Sequence, residues 1–228
     1  MDSEDRKRFK AGARKLIADH RSFYLLNGIL MVALFILGDW VTKTYSLDVE
    51  PSMRDELMST VLYLVAGMLN AGVSITMIDI DRGKVDFDKP VERSFALFDK
   101  SQYFWGWVGI GIISTILVVL WSLLLIVPGI IKAFSYSQAF YIYRDAVDRG
   151  EDIRLIDAIT RSRELMNGEK GFMLLMALSF LLWFFFGAIT YGLANLFILP
   201  YFWQTQAKFY NQLLLKQKKQ ESAAGFRP

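Results

Sequence analysis

The sequence predicts an all-α polytopic membrane protein: six transmembrane helices with cytoplasmic interfacial amphipathic helices, arranged as two or three parallel repeats of amphipathic helix plus helical hairpin. Three observations predict it. The 228 residues are 54% hydrophobic and only 21% charged. Counted with Gly and without Tyr, the apolar share is roughly 57%, against about 45–50% for soluble domains. Long apolar blocks recur, two of them about twice the length of a membrane crossing. Finally, Lys and Arg concentrate on alternate connections between the blocks.

A crossing needs about 20 apolar residues, and in hydrocarbon only a helix or a closed barrel satisfies the backbone. The first block runs from Phe23 to Val41 with Asp39 near its end, and the second from Leu57 to Ile80, interrupted by Asn70 and Asp79. From Ser101 to Tyr143 the only charge is Lys132, and from Gly171 to Leu215 it is Lys208. As a helix the third block would reach about 64 Å, twice a hydrocarbon core, so it folds back as a hairpin; so does the fourth. Unbroken apolarity without two-residue alternation excludes barrel strands.

Orientation follows from the basic residues. Arg6, Lys7, Arg8, Lys10, Arg14, Lys15 and Arg21 precede the first crossing. Arg82, Lys84, Lys89, Arg93 and Lys100 join crossings two and three, and Arg144, Arg149, Arg154, Arg161, Arg163 and Lys170 join four and five. Lys216, Lys218, Lys219 and Arg227 follow the last. Residues 39–56 hold Lys43 and Arg54 beside Asp39, Asp48, Glu50, Asp55 and Glu56. Both termini are therefore expected in the cytoplasm, with the basic excess (pI about 9.0) meeting anionic headgroups. The basic residues alternate with acids and carry no nucleic-acid-binding motif, so a nucleic acid is not the expected partner. The first block has no cleavage site after it and there is no lipidation motif, so a single integral membrane domain over 1–228 is expected. Within it, 1–22 is a cytoplasmic amphipathic segment, 23–80 the first hairpin, 81–147 and 148–215 the second and third repeats, and 216–228 a tail.

Each pair of crossings follows a polar segment with an apolar stripe at helical spacing. Phe9, Ala13, Leu16, Ile17 and His20 form the first stripe; Leu155, Ala158, Ile159, Ser162, Leu165 and Met166 form the third. The middle one, Val91 to Phe98, begins after Pro90, which suits a helix start. Such helices are expected to lie in the interface and offer their cations to headgroups, with Arg14, Arg93 and Arg161 foremost. Arg93-Ser-Phe-Ala-Leu-Phe-Asp-Lys-Ser-Gln-Tyr-Phe104 aligns without gaps to Arg161-Ser-Arg-Glu-Leu-Met-Asn-Gly-Glu-Lys-Gly-Phe172, and the same offset pairs Ser137-Gln-Ala with Thr205-Gln-Ala. Residues 14–24 fit the frame more loosely, which makes two or three parallel copies.

Cysteine is absent and His20 is the only histidine, which excludes disulfides, thiolate chemistry and His-rich metal cages. No phosphate loop or kinase signature occurs, and neither a cofactor nor a metal is expected. Asp79/Asp81 and Asp86/Asp88 have the spacing of a weak Mg²⁺ pair, but Arg82, Lys84 and Lys89 among them favour solvated charge. Lys132, Gln138, Gln204 and Gln206 are the polar groups expected to line a cavity between repeats. A turn at Pro128-Gly129 would let Lys132 snorkel at the outer surface, whereas a turn near Trp121-Ser122 would bring it nearer the midplane.

Ile126-Val-Pro-Gly-Ile-Ile-Lys-Ala-Phe-Ser-Tyr-Ser-Gln-Ala-Phe-Tyr141, Asp157-Ala-Ile-Thr-Arg-Ser-Arg-Glu-Leu-Met-Asn-Gly168, Leu199-Pro-Tyr and Ala207-Lys-Phe-Tyr210 resemble the signature of an uncharacterised bacterial integral membrane family, domain of unknown function 975. That family is similar to the membrane domain of glycerophosphodiester phosphodiesterases. The resemblance implies a multi-pass protein of the bacterial plasma membrane; with no catalytic domain in the chain, it implies no enzymatic activity. Three functions stay open: a non-enzymatic module that binds or moves a lipid or other amphiphile; an interaction or assembly partner docking another protein through its cytoplasmic helices; and, third, an intramembrane lipid-phosphate enzyme.

Overall fold

The structure, a computed structural model, describes residues 1–43 and 52–224. Asp48 and Glu50 of the acidic loop, and Arg227 of the tail, lie outside the described residues. Ten α-helices and one 3₁₀ turn (Ala96–Phe98) follow in order among the described residues: α1 Ser3–Asp19, α2 Arg21–Lys43, α3 Met53–Asp81, α4 Pro90–Arg93, α5 Ser101–Leu124, α6 Ile126–Tyr136, α7 Ala139–Asp148, α8 Leu155–Leu165, α9 Lys170–Ile189 and α10 Asn195–Ala224. Four of them, α2, α3, α5 and α9, are long and apolar enough to cross a membrane.

Six such helices were expected, and the other two differ for local reasons. Residues 126–148 do not form one rod. The chain breaks at Ser137–Gln138, leaving α6 only 11 residues long. The 30-residue α10 is long enough, but Gln204, Thr205, Gln206, Lys208 and Asn211 interrupt its apolar stretch.

The chain forms two compact units. The first comprises residues 1–8, 98–179 and 208–228, of which those up to 224 are described. Here α5 and α6 pair as a hairpin. Leu125 is extended (φ −159°, ψ 139°), which reverses the chain between Leu124 and Ile126, one residue on either side. Pro128 therefore falls in the first turn of α6, where its missing N–H costs nothing. Gly129 lets the two helices touch, since a Cβ there would sit 2.0 Å from Ser122 Oγ. Farther down, a Cβ on Gly106 would enter the Tyr143 ring, so α7 lies close on α5. The break before α7 is held by α8: Gln138 N–H donates to Ser162 Oγ at 3.2 Å, and that hydroxyl donates to Ser135 O at 2.8 Å. Phe209, Tyr210, Met166, Met176 and Leu213 form the core.

The second unit comprises residues 9–97 and 180–207. A capping box opens α3: Ser52 Oγ accepts from Asp55 N–H, and Asp55 accepts from Ser52 N–H. Gly83 closes it with φ 65°, while Lys84 N–H returns to Asp79 O at 2.9 Å. The segment that follows lies on the hairpin of α2 and α3. Ser94 O would be 2.0 Å from a Cβ on Gly72, Thr76 Oγ1 donates to Arg93 O at 2.8 Å, and Asn27 Nδ2 donates to Pro90 O at 2.8 Å. Tyr24, Met31, Met77, Ile78, Leu97 and Phe180 fill this core.

The amphipathic segments pack on protein. The middle one lies on α2 and α3, α8 packs on α5, α6 and α7, and Arg14 Nε of α1 donates to Tyr201 OH of α10 at 3.1 Å. Phe9 and Ala13 of α1, and Ala158, Ile159, Ser162 and Met166 of and after α8, are buried. Protein thus covers part of the first and third stripes, because a docked apolar face gains burial from the neighbouring helix, whereas Val91, Phe95 and Phe98 of the middle one are exposed.

Candidate functional site

A cluster of ionisable groups gathers where α5 begins, α7 ends and α10 passes. Lys100 and Tyr103 come from the entrance to α5. Arg144, Asp145 and Asp148 lie on α7 at spacings that put Arg144 and Asp148 one turn apart. Lys100 Nζ donates to Asp148 Oδ1 at 2.8 Å, Tyr103 OH donates to the same oxygen, and Arg144 Nε stands 3.3 Å from Asp148 Oδ2. Asp145 lies 3.9 Å from the Arg144 guanidinium and accepts from Tyr210 OH at 2.8 Å. Arg144 is 5% exposed and Asp145 7%, so both charges depend on one another and on these hydrogen bonds.

Two cations and two carboxylates balance the cluster's charge. Burial pushes the Asp148 carboxyl up, but donation from Lys100 and Tyr103 and the Arg144 charge outweigh it and hold the group below its usual value. The ion pairs and hydrogen bonds of this cluster tie α5, α7 and α10 together. Sequence reasoning counted Arg144 only as a connecting cation and missed the cluster. The i, i+4 spacing of Arg144 and Asp148 was its one legible signal; the Tyr103 and Tyr210 hydroxyls gave none.

The four residues expected to line a cavity are divided between the units, Lys132 and Gln138 in the first and Gln204 and Gln206 in the second. Gln138 is buried at the α6–α7 break, with Nε2 donating to Ser137 Oγ at 2.8 Å. Gln204 is fully buried: its Oε1 accepts from Tyr24 OH at 2.9 Å and its Nε2 donates to Met77 O at 3.4 Å. The Gln204 carboxamide thus joins α10 to α2 and α3, the ordinary use of such a group between spanning helices, whereas that of Gln138 is spent locally on Ser137. Gln206 is buried with Nε2 unpartnered. Lys132 is half-exposed on α6, with Nζ 4.4 Å from the centroid of the Trp121 ring.

The cations expected at headgroups are also in use. Besides its bond to Tyr201, Arg14 is exposed; Arg93 pairs with Asp88 at 3.1 Å and Arg161 with Glu151 at 3.4 Å. Of the paired carboxylates, Asp79 is buried in α3 whereas Asp86 and Asp88 are exposed beyond it. Among the described residues no three His, Asp or Glu side chains gather as metal ligands. His20 stacks face to face on Phe87, centroids 3.5 Å apart.

Residues 110–217, a little under half of the chain, match the family described as a protein of unknown function (DUF975). That stretch runs from the middle of α5 into α10 and includes Arg144, Asp145, Asp148 and Tyr210. No curated protein and no solved structure matches the chain.

Proposed function

We propose that the chain is a non-enzymatic integral membrane module that binds or moves an anionic lipid or other amphiphile in the bacterial plasma membrane. One observation carries the reading: the surface of α5 and α6. Ile112, Ile116, Val119, Leu120, Leu123 to Val127, Ile130 and Ile131 are all exposed, a continuous apolar face broken by a single cation. Water would penalise such a patch, and hydrocarbon accepts it. In this reading α6–α7 and α10 complete the hairpins begun by α5 and α9, which makes six crossings. Asp79 in the α3 interior and Asp88 spent on Arg93 support binding rather than chemistry on a lipid phosphate.

The last turns of α10 favour a second reading, a docking partner for another protein. From Leu215 to Ser222 they are exposed and carry Lys216, Lys218 and Lys219.

Charge asymmetry supports a cytoplasmic position for both termini. Cysteines replacing Ser46 or Ser52 in this Cys-free chain are expected to react with a membrane-impermeant thiol reagent on intact cells, and one replacing Ser222 only after lysis. Labelling of the Ser222→Cys variant from outside would overturn the orientation.

A further inference from the structure

We infer that Lys132 and Trp121, at the apex of the α5–α6 hairpin, form a binding site for the phosphate of an anionic phospholipid. This rests on the membrane reading above and names its ligand chemistry. From Ser101 to Trp121 the rise of α5 is about 30 Å, the thickness of a hydrocarbon core. Trp121 therefore stands at the far interface from the Lys100–Asp148 cluster, at the depth where indole rings concentrate. Helical side chains lean towards the N-terminus of their helix, and the N-terminus of α6 is at the apex. Lys132 consequently reaches apexward to the level of Trp121, which is what its 4.4 Å approach to that ring records.

What Lys132 lacks is an anion. Among the described residues it makes no ion pair and no hydrogen bond, whereas Lys208, the other lysine within an apolar run, has a protein partner. Its neighbours Ile130, Ile131, Trp121 and Val127 are apolar and exposed. One face of the ammonium is covered by the ring, leaving donors directed to the surroundings. A lipid phosphate supplies the counter-charge at that depth, and its acyl chains fit the apolar sides of the hairpin.

The test uses the full chain in neutral detergent, titrated with phosphatidylglycerol and, separately, phosphatidylcholine of equal chain length, with bound lipid counted by native mass spectrometry. The parent is expected to prefer phosphatidylglycerol. Lys132→Met should weaken its retention about tenfold without changing phosphatidylcholine, and Trp121→Leu about threefold. Lys132→Arg and Lys208→Met should stay close to the parent, which separates lost charge from lost folding. A Lys132→Met protein with the parent's preference, or equal loss in Lys132→Arg, overturns the site while leaving the membrane module standing. A parent with no preference at all overturns the phosphate site and, with it, the anionic ligand of the proposed function. Dissociation of a dimer by Lys132→Met would show that a second copy, not a lipid, supplies the anion.

Discussion

Asp145 holds its place by accepting from Tyr210 and facing Arg144, and a buried carboxylate short of a donor is costly. Tyr210→Phe should therefore lower stability by about 1–3 kcal/mol while leaving the helices intact, measured by thermal unfolding in detergent. Asp148 contributes to the acid dependence. Its folded value lies below the ordinary 3.8, so the unfolded chain takes up the proton first as pH falls. The stabilisation is fully present above that ordinary value and is lost as pH drops through the lowered one. In scans from pH 6 to pH 3, the parent should lose more stability than Asp148→Asn, which has no proton to gain there; parallel curves would show that Asp148 contributes nothing. None of these partners is close to all the others in sequence, since Lys100, Arg144 and Tyr210 belong to three elements. Only the i, i+4 pair on α7 was visible in the chain itself.

At the scale of elements, the ends of α3 are set locally: Ser52 with Asp55 starts it, and Asp81-Arg82-Gly83 ends it. Where helices touch was not readable. Gly72 and Gly111 look alike in sequence, both within apolar helices, yet a Cβ on Gly72 would strike the Ser94 carbonyl at 2.0 Å and one on Gly111 would meet nothing within 4 Å. Gly72→Ala should thus cost about 1–3 kcal/mol, because a backbone carbonyl held by its neighbours cannot rotate aside. Gly111→Ala should be neutral or stabilising by up to about 1 kcal/mol through helix propensity. Comparing the two melting curves checks the docking of residues 90–97 on α3. The apex of the α5–α6 hairpin shows the same division: its existence followed from length, but its position at Leu125 lies between the two turns that the sequence allowed.

At the scale of the whole molecule, the apolar surface is a statement about the solvent. Ile112 and Leu124 are both exposed on α5, about 16 Å and 34 Å along it from Ser101. In a bilayer, Ile112→Lys places a charge near mid-depth and should cost about 2.5–3.5 kcal/mol of insertion, while Leu124→Lys near the apex should cost far less. Membrane-fraction yield and extracted thermal stability measure the difference. Two variants that behave alike would mean that α5 does not span.

Composition and block length by themselves determined that this is an all-helical, membrane-suited chain, because the need to bury backbone polar groups and solvate charge acts on any stretch of about 20 residues without reference to its neighbours. Tertiary structure decided which polar side chains are spent. Gln204 is used between helices, Gln138 is buried with its carboxamide on Ser137, Lys132 turns to the surface beside Trp121, and Arg144 is buried among carboxylates. Those outcomes depend on pairings between residues far apart in the chain, and the energy of a buried charge is set by the partners that folding brings within a few ångströms of it.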